Sequence, residues 1–147
     1  VGLVSALGWV LVSTWGYAMV DEMRTPRSLM LHTAEVIGED AELGLVNFKE
    51  QFILFSPMSV THFSYLAPVE EQERNAWQWM QENKQRYVLV PSGAELSCFD
   101  IKGGKSMGIA HRDEWILLSA SELKPQCQAP ERVYRYFTDH PGRWLKE

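Results

Sequence analysis

The first 20 residues of the chain contain no Asp, Glu, Lys, Arg or His. A helix of this length extends about 30 Å, which is the thickness of the hydrocarbon core of a bilayer. Trp15 and Tyr17 lie near the end of the apolar run, and charged residues follow it directly. This order is typical of a span whose aromatic rings lie at the membrane interface. We therefore predict a transmembrane helix over residues 1–20.

Two other interpretations of the apolar run are weaker. A signal peptide begins with a basic region, whereas the first basic residue of this chain is Arg24. A helix buried on every side within a soluble protein needs more surrounding chain than the remaining residues comfortably supply. Because the first residue is Val rather than Met, we expect the chain to be part of a longer protein.

The charged residues all follow the apolar run, and the formal net charge is −5. An acidic domain without clusters of Lys and Arg lacks the positive surface that binding to a phosphate backbone needs, so we predict no nucleic-acid partner. The chain has no internal repeat and no linker rich in Pro or Gly. The simplest organisation is a helix over residues 1–20 and one domain over residues 21–147.

The chain has two cysteines, Cys98 and Cys127, and neither belongs to a CxxC motif. No His is placed to complete a zinc site with them, so we predict no metal. In an oxidising compartment the pair could form a disulfide that closes a loop of about 30 residues, worth about 3–4 kcal/mol in the chain-entropy model. In the cytoplasm they would be free thiols, and both states remain open at this stage.

Hydrophobic periodicity predicts helices and strands in alternation along residues 21–147. Residues 28–38 form one apolar helical face that Gly38 would end, and residues 67–86 predict a second helix with Pro68 at its first position. Strand candidates are ELGLVNF, QFILFS, THFSYL, RYVLVP and EWILLSA, and the aromatic tail ERVYRYFTDH is a further candidate. The alternation predicts a small α/β sandwich with a mixed, partly parallel sheet.

No catalytic motif is complete in this sequence. KGGKS is similar to the end of a P-loop, but the first glycine of that motif would fall at Phe99. HRD at residues 111–113 lacks the asparagine of a kinase catalytic loop, since that position is Leu118. The four histidines are scattered, and a lone His is more often a surface or hydrogen-bonded residue than a catalyst. We therefore predict no catalytic residue in this chain.

The order of the parts is more informative than any motif. An apolar run is followed by the joint DEMRTPR, the helix SLMLHTAEVIG, the phrase EDAELGLVNFKEQFILFS and a helix-to-strand unit that ends in RYVLVP. In this order the chain resembles the carboxyl end of bacterial polytopic glycosyltransferases of the dolichyl-phosphate-mannose-protein mannosyltransferase-like family, which includes the aminoarabinose transferase of lipid A. AELGLVNFKEQFILF is the most specific phrase, and the similarity extends over nearly the whole chain.

The resemblance implies a full-length protein that takes a sugar from a polyprenyl-phosphate carrier and passes it to a lipid, glycan or protein acceptor. This chain would then be its non-catalytic C-terminal part in the bacterial inner membrane. Its helix would pack among other transmembrane helices of the same protein, and residues 21–147 would form a periplasmic domain that helps to recognise the acceptor. The catalytic carboxylates of the family lie near the amino end, outside this chain, and no cofactor is expected in this segment.

Three basic residues are candidates for contact with substrate or lipid. Lys49 lies between two apolar runs, and its ammonium could meet a phosphate as a point charge, although a polar strand connection is the simpler explanation. Arg24 and Arg27 follow the predicted span and could contact lipid head groups, although basic residues in that place are often only anchors.

Two further functions remain open from the sequence. The chain could be a membrane-anchored periplasmic interaction domain of an envelope complex, with residues 1–20 as its anchor. It could also be a soluble domain whose first helix is buried.

Overall fold

The N-terminal segment is a continuous helical rod that stands apart from the core. We describe residues 2–146 of a computed structural model, without the side chains of residues 21–24 and 146. The rod consists of α1 (Gly2–Leu11), a π-helical turn (Val12–Gly16) and α2 (Tyr17–Arg24). Its portion Gly2–Val20 is long and apolar enough to cross a membrane, and none of it is buried. The rod is therefore not a core helix of the domain that follows.

A mixed six-stranded sheet forms the centre of the domain, in the order β4-β5-β3-β1-β2-β6. β1 pairs in parallel with β2 and β3, whereas the β2–β6, β3–β5 and β4–β5 pairs are antiparallel. The predicted α/β fold with a mixed, partly parallel sheet is confirmed. The strands are β1 (Glu42–Leu45), β2 (Ser59–His62), β3 (Arg86–Pro91), β4 (Lys105–Ala110), β5 (Asp113–Leu118) and β6 (Tyr136–Thr138).

Helices cover both faces of the sheet. α3 (Arg27–Ile37) and the one-turn α4 (Gln51–Leu54) bury Met30 and Phe52 on one face, which we call the α3 face. α5 (Val69–Gln81) buries Trp79 and its neighbours on the other, the α5 face. Each face thus holds its own apolar cluster, as expected for a three-layer sandwich.

Close packing on the α5 face explains one glycine in the middle of a strand. A Cβ atom built on Gly44 of β1 would lie 2.9 Å from Cζ3 of Trp79 and 3.1 Å from Cγ2 of Val88. Both distances are shorter than ordinary carbon contacts. The indole of α5 therefore packs directly on the backbone of β1, and a side chain at position 44 would push it away.

The two ends of the sheet are named for the parallel strands. The carboxyl edge is where β1, β2 and β3 end, and it also holds the turn between β4 and β5 at His111 and Arg112. The amino edge is where these three strands begin, and β5 ends there because it is antiparallel to β3.

Several sequence predictions of single elements need correction. QFILFS is not a strand, because its first residues form α4, the connection between parallel strands, with Phe52 buried against Trp115. The strand predicted in THFSYL starts earlier, at Ser59. Pro68 precedes α5 as its N-cap rather than opening it. Gly38 ends α3 as predicted, with φ of +85° and its N–H bonded to the carbonyl of Ala34 at 2.9 Å.

Candidate functional site

A crevice opens at the carboxyl edge, between the loops that follow β1 and β2. These strands are parallel neighbours, yet the chain leaves β1 toward α4 on the α3 face and leaves β2 toward α5 on the other face. The two loops therefore diverge. In open α/β sheets this divergence marks the point where ligands bind, outside the carboxyl ends of the strands.

The crevice has a volume of about 290 Å³, at the lower end of the range for small-molecule sites. Its wall combines aromatic and aliphatic side chains with a few polar groups, a composition typical of sites that bind small organic ligands. The lining residues are Phe48, Glu50, Ile53, Leu54, His62 and Tyr65.

His62 is the central polar residue of this wall. Its ring stacks on Tyr136 at a centroid distance of 4.9 Å and an interplanar angle of 18°, and it lies 5.3 Å from the ring of Phe48. Its buried Nδ1 atom has no hydrogen-bond partner among the described residues. Burial lowers the pKa of His62, so the neutral imidazole is favoured. A neutral ring can accept a hydrogen bond from a ligand at one nitrogen and donate one at the other.

A second polar group lies beside the crevice, in the turn between β4 and β5. His111 and Arg112 have φ values of +51° and +68°, as in the tightest hairpin turns. The His111 ring lies 5.7 Å from Phe52, and its Nε2 is buried without a partner in the part of the chain described here. Burial lowers the pKa of His111, and the positive charge of Lys49 lowers it further. Lys49 and His111 are therefore electrostatic neighbours.

The predicted contact residues are distributed unevenly around this site. Lys49 is exposed at its rim, between Phe48 and Glu50, which both line the crevice. Arg27 is exposed in the first turn of α3, and the side chain of Arg24 lies outside the described residues. The contacts of Lys49 with substrate and of Arg24 and Arg27 with lipid therefore stay predictions.

The two cysteines lie on the α5 face, away from the crevice. Cys98 and Cys127 form a disulfide with a Cα–Cα distance of 5.1 Å. Cys98 is buried in the apolar cluster of that face, and Cys127 packs against the cluster. The bond ties the segment after β3 to the segment that leads to β6, so its role here is structural.

The aromatic wall of the crevice is not evident from the sequence patterns. His62 is a lone histidine in the sequence, and Phe48 and Tyr65 fall within the predicted strands ELGLVNF and THFSYL. The available signal was positional, since Phe48 and Tyr65 follow β1 and β2 within three residues and His62 ends β2. Polar or aromatic side chains in those places become informative once the two strands are known to be parallel neighbours.

A Ser-His-Asp cluster at the amino edge does not have the geometry of a catalytic triad. Nδ1 of His140 lies 2.6 Å from Asp139 and 3.2 Å from the hydroxyl of Ser59, while Nε2 contacts the carbonyl of Glu39 at 3.1 Å. In a triad the ring bridges serine and carboxylate through different nitrogens. Here both lie on Nδ1, so the cluster joins the C-terminal segment to β2. The hydrogen bond from His140 keeps the pKa of Asp139 low.

Within the described residues there is no group of three or more His, Cys, Asp or Glu side chains that could hold a metal ion. The chain was also compared with known protein families, with curated proteins and with solved structures, and it matches none of them.

Proposed function

We propose that this chain is the non-catalytic C-terminal part of an integral-membrane glycosyltransferase. The enzyme would transfer a sugar from a polyprenyl-phosphate carrier to an extracytoplasmic acceptor. The helix Gly2–Val20 would lie in the bacterial inner membrane and the domain in the periplasm, where the disulfide between Cys98 and Cys127 is chemically stable. The domain would contribute to acceptor recognition rather than to the chemical step.

The observation that carries this proposal is the crevice at the carboxyl edge. Aromatic faces such as Phe48 and Tyr65 offer flat apolar surface against which the C–H face of a sugar ring can pack. The unpartnered Nδ1 of His62 and the carboxylate of Glu50 offer hydrogen bonds to hydroxyl groups. Lys49 adds a positive charge at the rim, suited to a phosphate or another anionic group of the acceptor.

A transfer assay tests this proposal on the protein expressed with its natural upstream sequence. Membrane vesicles would receive a polyprenyl-phosphate sugar and candidate acceptors, and the rate would be measured against acceptor concentration. We expect His62→Phe to raise KM for the acceptor about tenfold, equivalent to about 1.4 kcal/mol, with kcat nearly unchanged. The matched control is Lys102→Met, since Lys102 is exposed at the amino edge.

The outcomes separate the two parts of the proposal. If the wild-type protein transfers no sugar from a polyprenyl-phosphate carrier, the glycosyltransferase function is rejected. If transfer occurs and His62→Phe has the same KM for the acceptor as Lys102→Met, the glycosyltransferase function is kept and acceptor binding in the crevice is rejected.

A second candidate function is an anchored periplasmic interaction domain of an envelope complex. It is favoured by β6, an edge strand on which Tyr136, Phe137 and Thr138 are all exposed. An exposed edge strand can pair with a strand of another protein. A photoreactive side chain at Phe137 would then crosslink to one partner protein in intact cells, and transfer activity would be absent.

A further inference from the structure

Exposed apolar side chains project from the carboxyl edge. The turn after β2 is closed by a hydrogen bond from the N–H of Ala67 to the carbonyl of Ser64 at 3.0 Å, and it presents Tyr65 and Leu66 at its tip. Leu66 is 85% exposed and Tyr65 is 49% exposed. Ile109, near the end of β4, is also exposed. Projecting apolar side chains of this kind mark sites of contact with a partner or a membrane.

The amino edge has a different surface. The loops at residues 38–41, 82–85 and 101–103 lie there, and no described residue in them exposes a large apolar side chain. Their exposed positions are mostly charged or amide residues, such as Asp40, Lys84 and Lys102. In the C-terminal segment, however, Trp144 is 52% exposed beside Phe55, so exposed apolar surface is not confined to one edge. The tip after β2 differs because Leu66 projects further into solvent than Trp144 does.

The helical rod joins the domain at the same edge as the apolar tip. At its far end, α3 brings Ile37 beside Tyr87 and Lys105, the starts of β3 and β4. An 11-residue helix is about 16 Å long, so Arg27, which opens α3, lies toward the carboxyl edge. α2 ends three residues before Arg27, and the backbones of both α2 and α3 come close to β4. Because the span ends at Val20, a few residues before α3 begins, the membrane interface lies near the carboxyl edge.

The charges at this edge are mixed. Lys49, Arg112 and Arg27 are exposed there, and so are the carboxylates Glu50 and Asp113. Attraction to anionic head groups is thus partly cancelled, and the main driving force for membrane contact would be burial of the apolar tip. Tyrosine is well suited to this position, because its ring is apolar and its hydroxyl remains hydrated at the interface.

We propose that the carboxyl edge rests on the bilayer surface, with Tyr65 and Leu66 inserted at the interface and the crevice opening beside the head groups. The molecules that this apolar tip contacts are membrane lipids. The inference uses the span Gly2–Val20, on which the proposed function also depends, but it does not require the transfer reaction. It adds a second membrane contact to the anchor and fixes which side of the domain faces the membrane.

Depth measurements on labelled protein in lipid vesicles test this arrangement. The disulfide occupies both native cysteines, so a single introduced cysteine can carry a fluorescent label in the full 147-residue chain. The test position is Leu66→Cys. The controls are Gly8→Cys in the middle of the span, where an added Cβ atom would meet no heavy atom within 4 Å, and Lys102→Cys at the amino edge. Each label is exposed in turn to lipids that carry a shallow quenching group and to a water-soluble quencher.

The expected result is that the label at position 66 is quenched by the lipid probe and shielded from the aqueous one by at least threefold relative to position 102. A label at 66 as accessible to water as the one at 102, with position 8 in lipid, overturns the inference and leaves the span intact. Shielding from water without quenching by lipid indicates a protein contact, such as a second copy, and also overturns it. If position 8 itself is in water, the span fails, and the anchor in the proposed function fails with it.

Discussion

The two edges of the sheet differ in how completely their polar groups are hydrogen-bonded. At the amino edge Arg86 donates hydrogen bonds to Glu42 at 2.5 Å, to the carbonyl of Trp79 at 2.7 Å and to Glu82 at 3.1 Å. At the carboxyl edge the buried nitrogens of His62 and His111 have no partner among the described residues. Buried polar atoms are nearly always paired in folded proteins. We infer that the amino edge completes the fold, whereas the carboxyl edge leaves polar atoms for another molecule.

The largest expected effect is on the stability of the whole domain, through the disulfide on the α5 face. Replacing Cys98 and Cys127 by serine opens a cross-link between residues 29 apart in sequence. We expect the free energy of unfolding to fall by about 3–4 kcal/mol, because the unfolded chain regains the entropy that the disulfide removes. Urea unfolding of the double variant and of the oxidised wild type measures this. A loss below about 1 kcal/mol would show that the bond does not constrain the unfolded chain as the entropy model requires.

A matched pair of arginine substitutions tests the difference between the edges directly. Arg86→Met removes the hydrogen bonds to two carboxylates and a carbonyl, and we expect it to lower the free energy of unfolding by about 2 kcal/mol. Arg112→Met, at the carboxyl edge, changes an exposed side chain and should stay within about 0.5 kcal/mol of wild type. Urea unfolding of both variants gives the comparison, and equal losses would contradict the division of roles.

The parts of the structure that could be predicted from the sequence are those decided by local pattern, and the parts that could not are decided by contacts between residues distant in sequence. α5 was predictable because its apolar residues recur at helical spacing and Glu70 and Glu71 occupy its first turn. QFILFS was not, since a short apolar run fits a strand or a helix, and Phe52 is held by Trp115, which is distant in sequence. Lys49 could be selected from its place between two apolar runs. The neighbourhood of His62 and Phe48 could not, because it depends on the parallel pairing of β1 and β2.

A matched pair of histidine substitutions has a smaller expected effect, of opposite sign at the two edges. His62→Phe keeps an aromatic ring against Tyr136 and removes the unpartnered nitrogen, so we expect it to raise the free energy of unfolding by about 1 kcal/mol. His140→Phe removes the contacts with Asp139, Ser59 and Glu39, and should lower it by about 1 kcal/mol. Thermal and urea unfolding measure both. A destabilised His62→Phe would mean that the nitrogen is satisfied in solution.

The smallest expected effect is a difference in the pH at which each edge loses stability. Burial lowers the pKa of His62 and His111 below 6.5 in the fold. Below pH 6.5 the unfolded chain therefore binds more protons at these residues than the folded chain, so their contribution is present above this pH and is lost as the pH falls through the folded pKa values. At the amino edge the hydrogen bond from Arg135 lowers the pKa of Glu82 from 4.5 to about 2. That contribution is present above pH 4.5 and is lost as the pH falls toward 2.

Acidification should thus weaken the carboxyl edge first and the amino edge afterwards. Urea unfolding at a series of pH values would be compared for wild type, His62→Phe and Glu82→Gln. The phenylalanine cannot titrate, so we expect a shallower decline in stability just below pH 6.5 and no change near pH 3. Glu82→Gln should reverse this pattern, because only the lower window depends on Glu82. If both variants flattened the same window, the two edges would not titrate independently, and the separation between a completed edge and an open one would have to be abandoned.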